Sequence, residues 1–383
     1  MIYLNQAASS WPKPTRVLQA HGLALSALPA GQFRGGASPE GADVMDDCRK
    51  KLGTLLGISD HGRIYFSSGA TDAANAVICG LPLKGRRVLA TQTEHNSILR
   101  PLMNHKDRVG SVDVVPCDAA GWVNPEQVEA MLDRDTAAVF LNHCSNVTGM
   151  IQHVRPIAET AHRHGALLVL DAAQSAGCIP VDADAWGVDA LIFTGHKSLF
   201  GPQGTGGYYV RAGIPFSPYR YGGTGRDSRQ LTYEAGDYEF EPGTQNIPGI
   251  AALASGVEYV LEEGVQEIAR KEQSLIKRLR DGLAAIGRVR LYGDSRCVGP
   301  ILSFNVDGLK PADAAYILEG GYGIRVRAGL HCAPLIHSAL GTGDTGTIRV
   351  SVSNMNTLKD MDCLINAIGE IAKSLEYGHE DHR

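Results

Sequence analysis

The sequence predicts an α/β protein, with a large domain on a mostly parallel seven-stranded sheet and a smaller α+β domain after it. Three observations carry this. Short β-rich runs alternate with helical stretches over the first two thirds of the chain. Several of those runs are nearly continuous apolar strings, as strands are when helices cover both faces of a parallel sheet. After about residue 250 the pattern turns to long helical periodicity and then to a second, sparser set of strands.

RIYFSS (63–68) is the first strand, and SSGATDAANAV (67–77) leads from it into a helix from Thr71. RRVLAT (86–91), SVDVVP (111–116), AAVFLNH (137–143), ALLVLDAAQ (166–174), DALIFTG (189–195) and GGYYVR (206–211) complete the seven. They are rich in the branched and aromatic residues that fit a buried pleated surface. PIAETAHRHG (156–165) reads as a helix between two of them, with Pro near its start and Gly at its end. Residues 250–287 keep helical spacing throughout, as one long helix or two joined near Gly264. VRLYG (289–293), PILSFNV (300–306), a helix from Pro311, IRVR (324–327), TIRVSV (347–352) and a helix near 357–377 follow. The polar tail EYGHEDHR is expected to fray.

Composition narrows the function. With 36 Lys+Arg against 41 Asp+Glu the formal charge is −5, which argues against a dedicated nucleic-acid binder. Hydrophobic residues at 44% and charged residues at 20% exclude a disordered chain. No stretch approaches the roughly 20 apolar residues that span a bilayer. MIYLNQAASSWPKP has no basic region followed by an apolar run, so a cytoplasmic protein without a membrane partner is expected. The eight cysteines (Cys48, Cys79, Cys117, Cys144, Cys178, Cys297, Cys332, Cys363) form no CxxC pair. Free thiols, mostly in the core, are expected rather than disulfides or a metal site.

The densest chemistry lies in FTGHKSLFGPQGTGG (193–207), where Lys197 follows a buried strand among glycines and beside His196. A buried lysine tends to lose its proton, and a neutral lysine condenses with aldehydes to a Schiff base. Asp171 ends the most apolar strand, where it is a strand-end cap or the partner of a protonated heteroaromatic nitrogen, as an electron-sink cofactor requires. Gln174, three residues on, can donate to a phenolate oxygen. Both Asp171 and Lys197 fall at the carboxyl ends of strands, where open α/β sheets collect ligands. SGAT before a helix offers free N–H groups to a phosphate, though alone it is a common strand–helix turn. His95, in TEHN, is either a satisfied structural group or a ring that stacks on another flat ring.

Together these pieces resemble the class V group of pyridoxal-phosphate enzymes, most closely the cysteine desulfurases and selenocysteine lyases. SGAT, TEHN, SNVTG, DAAQSAG, TGHK, EPGTQN and RAGLHC occur in the family's order, and the match runs from YLNQAAS (3–9) to SVSNMNT (351–357). The resemblance implies the fold-type I architecture. It implies an N-terminal segment, 1–15, associated with the small domain and active site. It also implies a large pyridoxal-phosphate-binding domain over 16–255 and a small domain over 256–383 that carries the catalytic cysteine. The cofactor implied is pyridoxal 5′-phosphate, held covalently by Lys197. Asp171 would pair with the ring nitrogen, Gln174 would contact the phenolic oxygen and His95 would stack on the ring. Ala70, Thr71, Thr194 and His196 would bind the phosphate. Thr244 would reach the phosphate of the other subunit in a homodimer. Asn146 would line the cofactor and substrate pocket, and Arg349 would clamp the substrate carboxylate with two parallel donors.

Cys332, in RVRAGLHCAP, selects the reaction. In desulfurases of this pattern the cysteine of R-x-G-x-H-C attacks the substrate sulfur, leaving an enzyme persulfide and alanine. A cation nearby, His331 or Arg327, would favour the thiolate, and both are candidate substrate-binding residues. The bland alternative for Cys332 is a buried structural thiol. Cys144, two residues before Asn146, is expected to pack rather than react. The interval of 17 residues from Cys332 to Arg349 resembles the short-loop, SufS-type branch, which implies a protein acceptor for the sulfur. Leu330 stands where a second histidine often precedes HC, and 222–237 has no close match. L-Cysteine is the expected substrate. A selenocysteine lyase, another class V aminotransferase or lyase with a dispensable Cys332, and a catalytically silent sulfur-relay protein are the rival readings. Iron–sulfur assembly, tRNA thiolation and delivery to another cofactor are all open as the pathway served.

Overall fold

Seven apolar runs between Ile64 and Val210 pair into one sheet in the computed structural model, which describes residues 1–27, 39–223, 229–232 and 240–377. In chain order the first elements are β1 (Ile2–Tyr3), α1 (Thr15–Ser26), α2 (Pro39–Leu56), β2 (Ile64–Ser67), α3 (Ala70–Gly80), β3 (Arg87–Thr91), α4 (Asn96–Asn104) and β4 (Ser111–Val115). There follow α5 (Pro125–Met131), β5 (Thr136–Asn142), α6 (Val154–Arg163), β6 (Leu167–Asp171), α7 (Ala183–Trp186), β7 (Ala190–Thr194) and β8 (Gly206–Val210).

The sheet order is β2-β8-β7-β6-β5-β3-β4. Strands β7, β6, β5, β3 and β4 run parallel, and β8 is antiparallel to both its neighbours. Side chains alternate between two cores. Leu89, Val139, Leu141, Leu168 and Leu170 pack on one face, and Val88, Ala90, Ala138, Phe140 and Val169 on the other. This period of two across a sheet buried on both faces is why these runs are apolar without a break. The register sets Asn142 beside Asp171 and Asp171 beside Ile192. The carboxyl ends of β5, β6 and β7 therefore stand in a row.

The remaining elements are α8 (Ile247–Glu263), α9 (Val265–Ala284), β9 (Val289–Tyr292), β10 (Ile301–Val306), α10 (Pro311–Tyr322), β11 (Ile324–Arg325), β12 (Arg327–Gly329), α11 (Ile336–Leu340), β13 (Thr347–Ser351) and α12 (Leu358–Tyr377). The long helical stretch is two helices, broken at Gly264, whose φ of 78° belongs to the left-handed region. A second, antiparallel sheet has the order β12-β13-β10-β9.

One expected strand is corrected. IRVR divides at Val326, with Ile324–Arg325 pairing in parallel with β1 and Arg327–Gly329 pairing with β13. The first residues of the chain supply the partner that draws Ile324 and Arg325 away, a long-range pairing invisible in local sequence. All eight cysteines are free, with Cys48, Cys144, Cys178 and Cys297 buried. The other four are only partly buried, so the thiols are less uniformly core residues than expected. No helix among the described residues is long and apolar enough to cross a membrane. The tail from residue 378, expected to fray, and most of 222–237 lie outside the described residues.

Candidate active site

A cavity of about 310 Å³ opens at the carboxyl ends of β5, β6 and β7. It gathers residues from five separate stretches of chain: Ala7 and Ala8, the start of α3, His95, the strand ends, and Arg327 to Arg349. Lys197, half-buried, reaches it from the turn after β7. That turn needs glycine at 195, where a Cβ would collide with Thr205 Oγ1. Burial pushes the Lys197 ammonium down to about 8; Asp171 opposes this, while Arg349 and Arg327 add to it.

Asp171 is the last residue of β6 and lines the same cavity. Its Oδ1 accepts from the Ala173 N–H at 2.9 Å. Burial raises its pKa, against the pull of the Ala173 N–H, Lys197 and the Asn142 side chain. Gln174 also lines the cavity and donates to the Ala7 carbonyl at 3.1 Å.

A cradle for an anion lies at the start of α3. Gly69, its N-cap, has φ 142°, and Ala70 and Thr71 line the cavity beside it. The Thr194 hydroxyl and His196 Nδ1 are buried there with no partner among the described residues. Buried polar groups are rarely left unpaired, so these atoms and the free N–H groups of α3 fit a phosphate. A carboxylate at Asp171, an amine at Lys197 and this cradle form the donor set that pyridoxal phosphate needs.

His95 caps α4. The Ser97 N–H donates to its Nδ1 at 3.0 Å, which leaves the ring proton on Nε2. Burial, with Lys197, Arg327 and Arg349, pushes this imidazole down to about 3, so it is neutral at physiological pH.

Arg349 is 1% exposed, yet no carboxylate among the described residues pairs with it. Its Nη1 donates to the Asn146 carbonyl and its Nη2 to Asn5 Oδ1, both at 3.1 Å, while Nε has no partner. Burial and Arg327, which faces it across the β12–β13 pair, push the guanidinium down to about 9. A carboxylate entering the cavity would relieve this buried charge.

Cys332 does not line the cavity wall, although Arg327 and His331 do. Its Sγ accepts from Arg327 Nη2 at 3.3 Å. His331 and Cys332 have φ of 52° and 58°, a left-handed conformation that costs non-glycine residues of the order of 1–2 kcal/mol each. Three bonds hold them there. Asn146 Nδ2 donates to the His331 carbonyl at 2.7 Å, the Asn96 N–H to the Cys332 carbonyl at 2.7 Å, and the His331 ring meets Thr347 at 3.0 Å.

The role of His331 as a cation is corrected. Burial, then Arg349, His337 and Arg327, push its imidazole down to about 2, so it is neutral, and Arg327 is the charge beside Cys332. Thr244 stands outside this cavity, in a neighbouring one of about 170 Å³ with Arg220 and Asn246. Cys144 is fully buried and only packs.

Sequence reasoning missed Asn142, Asn5 and the Ser10–Lys13 turn. Asn142 had a signal, being a polar residue ending a buried strand exactly as Asp171 does in the neighbouring one. Ser10 Oγ donates to the Lys197 carbonyl at 2.7 Å, and Lys13 Nζ donates to the His196 carbonyl at 3.0 Å. Neither contact has a local pattern. Among the described residues, no group of three or more His, Cys, Asp or Glu could hold a metal ion.

The family model for class-V aminotransferases matches residues 2–364. A probable cysteine desulfurase of Methanothermobacter thermautotrophicus is 34% identical over 380 residues, 97% of this chain and 94% of the relative. A cysteine desulfurase of Escherichia coli O157:H7 is 29% identical over 388 residues, 98% of this chain and 94% of the relative. Among solved structures, the apo cysteine desulfurase of Thermococcus onnurineus has a TM-score of 0.88 at 30% identity, covering 97% of this chain and 95% of its own. The cysteine desulfurase CsdA of Escherichia coli has a TM-score of 0.87 at 27% identity, covering 97% and 94%. The chain belongs to the class-V aminotransferase family.

Proposed function

From that membership we propose that the protein is a pyridoxal-phosphate-dependent cysteine desulfurase, converting L-cysteine to L-alanine and passing the sulfur to Cys332. The observation that carries this is the meeting, in one cavity, of Lys197, Asp171, Arg327 and an Arg349 that meets no carboxylate among the described residues, with the Cys332 thiol held by Arg327. The relatives and solved structures named above point the same way.

Pyridoxal phosphate, bound there, supplies an aldehyde for the substrate nitrogen and a ring that takes up negative charge from the α-carbon. The chain does the rest. Lys197 would hold the cofactor through its Nζ, Asp171 would keep a proton on the ring nitrogen, and Gln174 would meet the phenolic oxygen. Thr194, His196 and the start of α3, with Ala70 and Thr71, hold the phosphate. His95, neutral, would stack on the ring. Arg349 and Asn146 hold the substrate carboxylate. Burial, with Arg349 and Arg327, already holds the Lys197 amine at about 8, which suits it to act as the base that takes the α-proton near neutrality.

Cys332 then attacks the substrate sulfur as a thiolate, with Arg327 beside it. An S–S bond forms, the C–S bond breaks, and its electron pair stays with the substrate carbon, which is reprotonated and leaves as alanine. The persulfide on Cys332 passes its outer sulfur to an acceptor. The short Cys332–Arg349 interval supports the short-loop branch and a protein acceptor. We assign the catalytic cysteine to a small domain over 256–383, the cofactor to a large domain over 16–255, and a cytoplasmic homodimer in which Thr244 serves the other subunit's phosphate.

The test compares wild type with Cys332→Ser, both loaded with cofactor, for alanine and sulfide from L-cysteine. Equal alanine and sulfide from wild type alone is the expected result. Full sulfide release by Cys332→Ser would remove Cys332 from the reaction. Much faster turnover of L-selenocysteine than of L-cysteine would favour a selenocysteine lyase.

A further inference from the structure

We propose that Asn5 is a positioning residue for the substrate carboxylate: it aims the Arg349 guanidinium at the cavity without neutralising it. The proposal rests on the reading of Arg349 as the carboxylate clamp. Asn5 itself does not line the cavity, so it acts through Arg349 and not on the substrate.

The argument is one of donors and charge. The Arg349 fork is buried, and its two observed partners, Asn5 Oδ1 and the Asn146 carbonyl, are both neutral oxygens. A carboxylate in place of Asn5 would form an ion pair that the substrate would have to displace. A neutral acceptor fixes the plane of the fork and leaves its full charge for the ligand. Nε has no partner among the described residues, and the Nη hydrogens not used by Asn5 and Asn146 are what an incoming carboxylate can take.

Asn5 is itself held in place. It bridges to Ser351, two residues beyond Arg349 on the same strand. The Ser351 N–H donates to the Leu4 carbonyl at 2.9 Å, and the Ala7 N–H to Ser351 Oγ at 2.9 Å. Tyr3 Oη donates to the Asn5 carbonyl at 3.2 Å. The Asn5 side chain thus meets Arg349 from a backbone locked to the arginine's own strand, as accurate aiming requires.

The experiment titrates the cofactor-loaded enzyme with L-alanine, and with ethylamine as the probe lacking a carboxylate, following cofactor absorbance. Wild type, Asn5→Ala, Arg349→Lys and the double variant are compared. Asn5→Ala is expected to weaken L-alanine about tenfold, the scale of one hydrogen bond to a charged group, and to leave ethylamine unchanged. KM for L-cysteine should rise about tenfold while kcat changes less than about threefold. In the Arg349→Lys background, Asn5→Ala should add nothing. Asn5→Leu, similar in volume but without an acceptor, should repeat the pattern should Asn5→Ala not fold. Equal weakening of both probes, or full additivity with Arg349→Lys, overturns the proposal and leaves the clamp standing. If Arg349→Lys alone binds L-alanine normally, the clamp falls and the proposal with it.

Discussion

The two working walls of the cavity are built in opposite ways. The wall of Asp171 and Lys197 stands at the ends of parallel strands, β7 fully buried and β6 buried in all but its first residue, each paired on both sides. The wall of His331, with Cys332 next to it and set back from the lining, is a short loop with two residues in left-handed conformation, held by three hydrogen bonds to Asn146, Asn96 and Thr347. The first arrangement suits a group that must stay in register through every turnover. The second stores strain in a residue that has to meet a substrate inside the cavity and an acceptor outside it. The difference teaches that the cofactor chemistry and the sulfur transfer rest on separable parts of the fold.

That separation can be broken from either side. Lys197→Ala should lower L-cysteine turnover by about 10⁴-fold or more and abolish covalent retention of the cofactor, read by absorbance after gel filtration. Cys332→Ser should lower sulfide release by at least about 100-fold. Its cofactor spectrum should match wild type, and a changed spectrum would show that the two walls are not independent.

Two finer measurements sharpen the contrast. Covalent attachment of pyridoxal phosphate to cofactor-free protein needs the neutral Lys197 amine. The attachment rate should therefore rise with pH and level off above a midpoint of about 8, well below that of a free lysine. Arg349→Leu should move that midpoint upward, since the guanidinium is one of the charges holding it down. Thr347→Val removes one of two oxygens facing the His331 ring while the Thr347 carbonyl remains. It should cost about 1 kcal/mol or less in a denaturant titration and slow sulfur transfer a few-fold, with no change in cofactor absorbance.

The same contrast explains what could be read in the chain. Strands β5, β6 and β7 announce themselves because burial on both faces demands unbroken apolar runs, and the polar residue ending each run marks the ligand edge. Asp171 was legible for that reason, and Asn142 could have been. Helix α1 was silent because its large apolar residues Leu18, Leu23 and Leu25 face outward, while its inward stripe is Arg16, Val17, Ala20, His21 and Ala24, which carries little apolar signal. The left-handed backbone at His331 and Cys332 leaves no signature either, since neither is glycine. The Cys332 motif was legible only by resemblance. The neutral state of His331 depends on burial beside Arg349, which local sequence does not report. The split of IRVR follows from β1 meeting β11, and the place of Asn5 from its bridge to Ser351, both pairings across more than 300 residues.

The place of Arg349 on β13 has a consequence for the birth of the molecule. That strand lies inside its sheet, between β12 and β10, and carries on its flank the bridge to Asn5. Asn5 leaves the ribosome well before Ser351, because most of this sequence lies between them. At about 5–20 residues per second, the opening segment waits for tens of seconds before its partner strand exists. The parallel sheet can fold in that interval, with Lys197 and Asp171 already facing each other. A growing chain could thus pick up its cofactor before it is able to grip an amino acid, an order of assembly written into which strand comes last.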